Sequence, residues 1–456
     1  VEGENRVVKW VSYYATADYN YSGKYYLSAA FSVDGNSALN QNSRYNFYPS
    51  LSGAWRVSAE PFMADKTWLD DLKIRASFNQ AGNINNFAYD YSHLYYRGRK
   101  LSTSGMLVRE SIPNPNMEME KQTSINLGAD MSMLSQKLNV SLNLFNSMVN
   151  NLIVRQQLAP AFGYTSYYNN SGALRNLGAE LSFNYRKDYS KLTWNVGGAL
   201  SFIDNRVTSI DFILDSQDMI VSQVEGVSLV TKAGEPMYSY YGLKTNGIFK
   251  NNDEASQFTG PNGQRGKAGD IRYIDINNDN IINDQDKQII GSPIAPVYGG
   301  LFSSLVYGNF EVKADFAFSA GNQIYNHVNK LGQSMDLGYN QQAVVSQRWT
   351  SDNTNTEIPA LSVGDKYGNN VFSDRWLESG SYLRMSTFTV SYKYPSSTKV
   401  FDNLTVYLTA SNLFTLTSYS GLDPEFMLYN DPLYLGNDYG KVPQPKTFVI
   451  GVKLGL

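Results

Sequence analysis

The last ten residues of the chain alternate between apolar and polar side chains almost without exception. From residue 447 to residue 456, apolar residues occupy every second position, and threonine, glycine and lysine lie between them except at Val449. Side chains on a β-strand point to opposite faces with a period of two, so this strand has one apolar face. Residues 310–318 repeat the pattern with three charged residues on the other face. Such strands are typical of a wall between lipid and water.

Further segments of the chain alternate in the same way, and they are joined by short and long connections in turn. Gly308 and Asn309 form a two-residue hairpin signal, and residues 186–191 predict another short turn. The alternating segments are residues 27–33, 72–78, 125–131, 138–144, 179–185, 192–200, 388–392 and 404–410. The long connections, rich in Asn, Gly, Asp, Ser and Tyr, are residues 80–120, 204–236, 250–295, 320–380 and 412–444. Short turns at one rim and long loops at the other predict an all-β, transmembrane, antiparallel up-and-down β-barrel with about 13–14 strands in this chain.

Composition agrees with this prediction and excludes several other classes of protein. The chain has 34 Tyr, 22 Phe and 6 Trp, which suits aromatic girdles at two membrane interfaces. No cysteine is present, so disulfides and thiolate metal sites are excluded. A net charge of −3 gives no basic footprint for nucleic acid. No apolar run reaches about 18 residues, so a membrane-spanning helix is not expected.

Two other classes of protein remain open from the residues alone. A self-contained passive porin of about 14 strands has the same alternation. A secreted β-rich protein, such as a glycan-binding protein or a hydrolase built on a sandwich, propeller or β-helix, also alternates, but its loops would be of roughly equal length. The long connections favour the barrel, because long loops are uncommon in compact soluble domains.

Several short motifs resemble those of one family. Residues 419–426 read YSGLDPEF and resemble the YSGxDPE signature of SusC-like TonB-dependent transporters of the outer membrane of Bacteroidetes. Residues 379–385 resemble the SGSYLR strand of that family, and residues 411–415 resemble its NLF strand. The GEP…YG…GIF segment is matched between residues 234 and 249, and residues 47–56 match a further strand. These motifs occur in the family's order along nearly the whole chain.

The resemblance implies a fold, a location and a set of partners. Residues 1–456 would be part of a single barrel domain, the carboxy-terminal portion of a 22-stranded barrel, with the plug domain and the first strands outside this chain. The protein would be an importer of a bulky nutrient, an oligosaccharide or an oligopeptide, embedded in outer-membrane lipid, and not an enzyme. A SusD-like surface lipoprotein would cover the long loops, and TonB would act through the plug.

One segment has the spacing of a calcium-binding loop. Hard Ca²⁺ binds six to eight oxygens, which an EF-hand loop supplies from alternating positions. Here side-chain oxygens occupy loop positions 1, 3, 5, 9 and 12, and a backbone carbonyl would serve at position 7. The predicted ligands are Asp275, Asn277, Asp279, Ile281, Asn283 and Asp286. Asn280 replaces the usual turn glycine, which asparagine tolerates because it adopts left-handed conformations readily. A structural calcium ion would fix this loop, and the alternative is an Asx-rich turn without an ion.

Other candidate sites carry weaker signals. A tyrosine- and arginine-rich loop predicts a substrate-binding surface, or alternatively a loop that packs on its own barrel or on the covering lipoprotein. Its residues are Tyr89, Tyr91, Tyr95, Tyr96 and Arg97. Asp423 and Glu425 have the composition of a glycosidase pair, but they lie two residues apart in a loop and are expected to set a turn. Both histidines, His93 and His327, are expected to be solvated loop residues.

Overall fold

The computed structural model describes residues 7–83, 96–101, 104–109, 112, 114–157, 166–211, 219–336, 338–395, 403–426, 429 and 431–455. The chain divides into two compact units. The first unit extends to Ile220 and includes Lys232–Glu235, and the second comprises Val221–Thr231 and Pro236–Leu456.

The first unit contains eight long strands, and each pairs antiparallel with its neighbour along the chain. The order is β1-β2-β3-β4-β7-β8-β9-β10, while β5 and β6 form a separate hairpin. The strands are β1 (Trp10–Tyr21), β2 (Tyr25–Asn36), β3 (Tyr45–Arg56), β4 (Leu69–Asn83), β5 (Tyr96–Leu101), β6 (Ser104–Arg109), β7 (Glu120–Met133), β8 (Leu138–Gln157), β9 (Ser166–Tyr189) and β10 (Leu192–Ile210).

The following strands alternate between small sheets and a second set of long strands. They are β11 (Met219–Val224), β12 (Val227–Lys232), β13 (Ser239–Gly242), β14 (Thr245–Ile248), β15 (Ile271–Tyr273), β16 (Gln288–Gly291), β17 (Val297–Tyr307), β18 (Phe310–Ala320), β19 (Gln323–Asn326), β20 (Leu377–Ser379), β21 (Tyr382–Tyr394), β22 (Asn403–Ser411), β23 (Thr415–Thr417), β24 (Asn437–Asp438) and β25 (Thr447–Gly455). The long strands pair in the order β17-β18-β21-β22-β25, and β23 pairs with β21.

Helices are short and lie between the strands. Two α-helices are described, α1 (Asn252–Ala255) and α2 (His327–Gln333), and neither exceeds seven residues. Six 3-10 turns occupy Val57–Ala59, Pro61–Met63, Asp284–Asp286, Ala343–Gln347, Asp374–Trp376 and Pro432–Tyr434. Among the described residues, every helix is too short or too polar to cross a bilayer.

The register of the second unit's long strands gathers apolar residues on one face. Directly paired positions form an apolar row across five strands, and this row comprises Leu305, Val312, Val390, Leu408 and Ile450. The next row, one residue away along each strand, faces the other side and comprises Ser304, Lys313, Thr389, Thr409 and Val449. Because a one-residue slip would exchange the two faces, the alternation in the sequence fixes this register.

The first unit repeats the arrangement over eight strands. One row of directly paired positions comprises Tyr19, Leu27, Gly53, Ala76, Leu127, Leu144, Ala179 and Phe202. On the opposite face, the polar row begins Asp18, Ser28, Ser52, Ser77 and Asn126. Many residues of the apolar face are exposed, including Leu127 at 56% and Phe202 at 49%. The predicted two-faced sheet is therefore present, and its apolar face is not a protein core.

The short turns agree with prediction in one case and are tighter than predicted in another. Tyr307 pairs with Phe310, so Gly308 and Asn309 form the predicted two-residue hairpin, with Gly308 at φ 57°. The predicted connection over residues 186–191 is too long, because β9 continues to Tyr189 and only Ser190 and Lys191 separate it from β10. In the longer strand pair, Thr193 lies opposite Asp188, and its hydroxyl donates to the Asp188 carboxylate at 2.7 Å.

Three long connections of the second unit, predicted as loops, fold into small sheets with cores of their own. We call residues 236–296, 321–381 and 412–446 the loop assembly. Its strands form the sheets β14-β15 and β20-β19-β24. Two more of its strands, β13 and β16, join the preceding hairpin of β11 and β12 in the sheet β11-β12-β13-β16. The four largest fully buried side chains of the described residues, Trp376, Tyr240, Tyr325 and Phe249, belong to the loop assembly. The long strands, in contrast, leave large apolar side chains exposed.

Candidate functional site in the loop assembly

Two of the sequence motifs meet at a buried ion pair. Arg384 lies on β21 in the SGSYLR segment and is 3% exposed, and its Nη2 donates to Asp423 Oδ1 in the YSGLDPEF segment. Asp423 also accepts the backbone N–H of Glu425 at 2.9 Å and that of Gln444 at 3.0 Å. The Glu425 carboxylate lies 3.3 Å from Arg384 Nε. Both carboxylates are therefore engaged in holding the turn, as predicted, rather than facing each other across a substrate.

The same signature segment is linked to the three-stranded sheet β20-β19-β24. Ser420 donates its backbone N–H and its hydroxyl to the Glu378 carboxylate, at 2.7 and 2.8 Å. Asn326 donates to the same carboxylate at 2.9 Å. The Tyr419 hydroxyl donates to Asp438 at 2.6 Å, and burial raises the pKa of Tyr419 far above its ordinary value. These bonds connect residues 321–381 with residues 412–446 of the loop assembly.

An aromatic cluster forms one core of the assembly. Trp376, Tyr240 and Tyr325 are each 1% exposed or less. The Tyr240 hydroxyl donates to the Gly436 carbonyl at 2.7 Å, so the polar end of this ring is satisfied within the core. A buried polar group without such a partner would be costly. The cluster thus joins β13, β19 and β24 by apolar contact and by hydrogen bonds at once.

His327, one of the predicted solvated histidines, is half-buried against this cluster. Its ring centroid lies 4.6 Å from that of Tyr439, and its Nδ1 lies 3.2 Å from the Tyr325 hydroxyl. Burial lowers the pKa of His327, so the neutral imidazole is favoured. The expectation of a solvated loop residue is wrong for His327, because it begins α2 and packs on two tyrosines. His93 lies outside the described residues.

A second core lies beneath the predicted calcium loop. Ile271, Ile282 and Phe249 are each 2% exposed or less and belong to one apolar cluster. The Tyr273 hydroxyl donates to the Gly368 carbonyl at 2.7 Å, which ties this cluster to residues 321–381 of the loop assembly. Ile282 anchors the loop on its apolar neighbours, as its position in the motif predicts.

Asp275 organises the first half of that loop. Its two carboxylate oxygens accept the backbone N–H groups of Asn278 and Asn280, each at 2.7 Å. Both asparagines adopt the left-handed conformation, with φ of 58° and 59°, so Asn280 does replace the usual turn glycine. Asp279 accepts from the Ile281 backbone at 2.7 Å. The chain therefore curls around Asp275, with the Asp279 side chain on the exposed part of the loop.

Asp286 closes the second half of the loop. It is fully buried, and its oxygens accept the backbone N–H groups of Ile276 and Asn283, both at 2.9 Å. Asn283 caps the 3-10 turn that follows, by accepting from Gln285 at 2.7 Å. The donor set of carboxylates, carboxamides and carbonyls suits a hard cation. Among the described residues, however, no three acidic or imidazole side chains are gathered as a metal cluster.

The predicted substrate-binding residues fall at the edge of what the structure describes. Tyr89, Tyr91 and Tyr95 lie outside the described residues. Tyr96 and Arg97 begin β5, where their backbones pair with Arg109 and Val108 of β6. The substrate-binding role of this loop stays a prediction.

Comparison with known proteins assigns the fold to a family. Residues 4–413 match the family described as TonB dependent receptor-like, beta-barrel, and the chain belongs to this family of outer-membrane β-barrels. The all-β barrel fold and the outer-membrane location predicted from the alternation are thereby confirmed.

Curated relatives carry the same designation. The chain is 27% identical over 463 residues to TonB-dependent receptor P3 of Formosa agariphila, covering 97% of this chain and 45% of that protein. It is 25% identical over 469 residues to TonB-dependent receptor SusC of Bacteroides thetaiotaomicron, covering 97% of this chain and 43% of the relative. The chain therefore spans somewhat less than half the length of these relatives. Their names are those of receptors and not of enzymes, in agreement with the prediction.

Solved structures share the fold. The structure described as that of the RagAB peptide transporter matches with a TM-score of 0.84 at 21% identity, covering 98% of this chain and 48% of the matched chain. A structure of the RagAB peptide importer in a closed-closed state matches with a TM-score of 0.83 at 20% identity, covering 98% of this chain and 47% of the other. At these identities the likeness concerns the fold.

Proposed function

We propose that this chain is the barrel part of a TonB-dependent active importer that takes a bulky nutrient, an oligosaccharide or an oligopeptide, across the outer membrane. Family membership over residues 4–413 is the observation that carries the proposal. The relative named SusC and the fold shared with a peptide transporter support the SusC-like type. A plug and TonB would act through parts of the protein outside this chain.

A SusD-like surface lipoprotein is the proposed partner at the loop assembly. The assembly has two cores and a buried ion pair, so it offers a firm surface and not a set of loose loops. Leu422 and Val442 remain 71% and 83% exposed on it. Exposed apolar side chains outside the membrane favour a protein partner. Co-purification of the full protein with a surface lipoprotein, reduced by Leu422→Asp but not by a polar exchange at exposed Asn262, tests this partner.

Uptake by intact cells tests the importer against the passive porin. Labelled oligopeptides and oligosaccharides are supplied to cells with and without the full protein, and the proton-motive force is then dissipated with a protonophore. An importer of this class loses uptake of its cargo when the force is removed. A porin continues to equilibrate the solute, so uptake that survives the protonophore contradicts the proposal.

We also propose a structural Ca²⁺ in the loop of residues 275–286. Left-handed Asn278 and Asn280, the curl around Asp275 and the anchor at Ile282 favour it over an irregular turn. The proposed ligands are Asp275, Asn277, Asp279, Ile281 through its carbonyl, Asn283 and Asp286. A cation held at about 100 times its Kd adds about 2.7 kcal/mol to the free energy of unfolding.

Calcium titration of chelated protein tests the site. We expect one ion per chain and a higher melting temperature in calcium than in chelator, because the ion binds only the folded loop. Asp279→Asn should remove most of this difference. Asp284→Asn is the matched control, since Asp284 lies in the same loop, pairs with Lys287 at 2.8 Å and is no predicted ligand. Equal melting temperatures of the parent protein in calcium and in chelator would exclude the site.

A further inference from the structure

A pocket in the loop assembly is lined by three cationic side chains. It has a volume of about 300 Å³ and lies between residues 264–270 and residues 360–367 of the second unit. Arg265, Lys267 and Lys366 line it, and all three are exposed. Neither the catalytic nor the calcium interpretation of the sequence includes these residues.

The positive charge of the pocket is largely uncompensated. In the part of the chain that the structure describes, none of the three cations forms an ion pair with a carboxylate. Asp270 is the single carboxylate of the lining and is 8% exposed. Its oxygens accept the Lys267 backbone N–H at 2.8 Å and the Asn369 carboxamide at 2.9 Å. Burial raises the pKa of Asp270, and the charge of Lys267 acts in the opposite direction.

The two walls are held in place before any ligand arrives. The Ala360 N–H donates to the Gly269 carbonyl, and the Gly269 N–H donates to the Phe249 carbonyl, both at 2.8 Å. Gly269 has φ 92°, and a Cβ there would lie 2.6 Å from Trp349 and 2.7 Å from Ala360. This close approach therefore requires glycine. A fixed pocket loses little conformational entropy when it binds.

Beside the cations, the pocket has an aliphatic lip. Leu361 and Val363 line it and are 57% and 70% exposed. The one aromatic residue of the lining, Tyr367, is 2% exposed, and its ring packs on Tyr273 and Phe249 in the core beneath. A sugar ring would therefore find no aromatic face to stack on, whereas an aliphatic side chain would find Leu361 and Val363.

We propose that this pocket binds an acidic oligopeptide, whose carboxylates lie on Lys267, Lys366 and Arg265 and whose neighbouring aliphatic side chain packs on Leu361 and Val363. Charge complementarity specifies the acidic groups, and the aliphatic lip specifies a peptide over an anionic glycan. The proposal goes beyond the transport function, because binding at the pocket is measured without transport and would hold equally for a porin.

Fluorescence anisotropy of a labelled peptide tests the proposal with the full protein in detergent. The probe is Glu-Leu-Glu-Leu, and the matched neutral peptide is Gln-Leu-Gln-Leu. We expect the acidic peptide alone to bind, and more weakly as salt rises, because exposed charges are screened. Lys267→Gln with Lys366→Gln should weaken binding roughly tenfold, since two exposed ion pairs are lost. Lys250→Gln, at an exposed lysine outside the pocket, should leave the affinity unchanged.

Three results would overturn the proposal. The neutral peptide binding as tightly as the acidic one would remove the role of charge. An unchanged affinity in the double lysine variant would place the peptide elsewhere. Competition by an oligogalacturonate as strong as that by unlabelled peptide would make the site one for anionic glycans. The double variant Leu361→Ser with Val363→Ser keeps every charge. It should lower the affinity for the acidic peptide and leave the affinity for oligogalacturonate unchanged.

Discussion

At the scale of single residues, Arg384 and Asp423 explain why two distant motifs occur together. One is a strand motif and the other a loop motif, and the pair connects them where almost no water reaches, at 3% and 8% exposure. A buried ion pair adds little net stability, because desolvation offsets attraction, but loss of one partner leaves an unpaired buried charge. The sequence resemblance identified both motifs, but nothing in either segment indicated that they touch.

Asp423→Asn should therefore destabilise the loop assembly by about 3–5 kcal/mol, the usual cost of breaking a buried pair. The isosteric control is Glu425→Gln, which removes a carboxylate of the same turn whose side chain is 48% exposed. That change should cost about 1 kcal/mol or less. Urea unfolding of both variants, followed by tryptophan fluorescence, measures the difference. Losses of similar size would mean that burial of the pair does not matter.

Asp270 makes the stability of the assembly depend on pH. Burial raises its pKa above the ordinary value of 3.8, so the folded state binds a proton more readily than the unfolded state. Its contribution is complete below that ordinary value and is lost as the pH rises through the folded pKa. The melting temperature of the parent protein minus that of Asp270→Asn should therefore increase as the pH falls. Asp253→Asn, at an exposed site, is the control, and a pH-independent difference would contradict the assignment.

At the scale of elements, the alternation predicted which strands form and which face is apolar. β4, β7, β18, β22 and β25 occur where the pattern places them, because a period of two leaves one register that keeps apolar residues together. The small sheets of the loop assembly were not predicted. Tyr240, Tyr325 and Trp376 occur at irregular spacing among Asn and Gly, and their burial depends on contacts between segments more than a hundred residues apart.

The NLF segment shows the same limit on a smaller scale. It resembles a strand, but β22 ends at Ser411 and Asn412 has φ 53°. The chain bends there, and Thr415–Thr417 then pairs with β21 as β23. Local sequence does not reveal this interruption, because the chain pairs with the same strand, β21, before and after the bend.

Neighbouring residues of β25 test the facing of the sheet at one depth. Ile450 lies in the apolar row and is 79% exposed, and Val449 lies in the row with Thr409. Ile450→Lys should cost about 2–4 kcal/mol if the residue lies near the membrane midplane, because the lysine would face acyl chains. Val449→Lys, on the polar face, should cost about 1 kcal/mol or less. Equal costs in liposome-reconstituted protein would reject the assignment of faces.

At the scale of the whole molecule, the long strands and the loop assembly are stabilised in different surroundings, the first in lipid and the second in water. The long strands expose apolar rows that lipid can cover, and breaking the backbone hydrogen bonds between paired strands is costly inside a membrane, where no water replaces them. The loop assembly instead hides its apolar residues from water, as at Tyr240 and Phe249, and is stabilised like a small soluble domain. The two structures should therefore respond differently to denaturant.

Urea titration of the reconstituted protein should accordingly show two steps, with tryptophan fluorescence changing as Trp376 becomes exposed before circular dichroism reports loss of the strands. Asp423→Asn should move only the first step to lower urea, because its contacts lie in the loop assembly. Ile450→Lys should move only the second, because its cost arises in lipid. A single transition that both substitutions shift together would show that the assembly and the membrane sheet unfold as one cooperative unit.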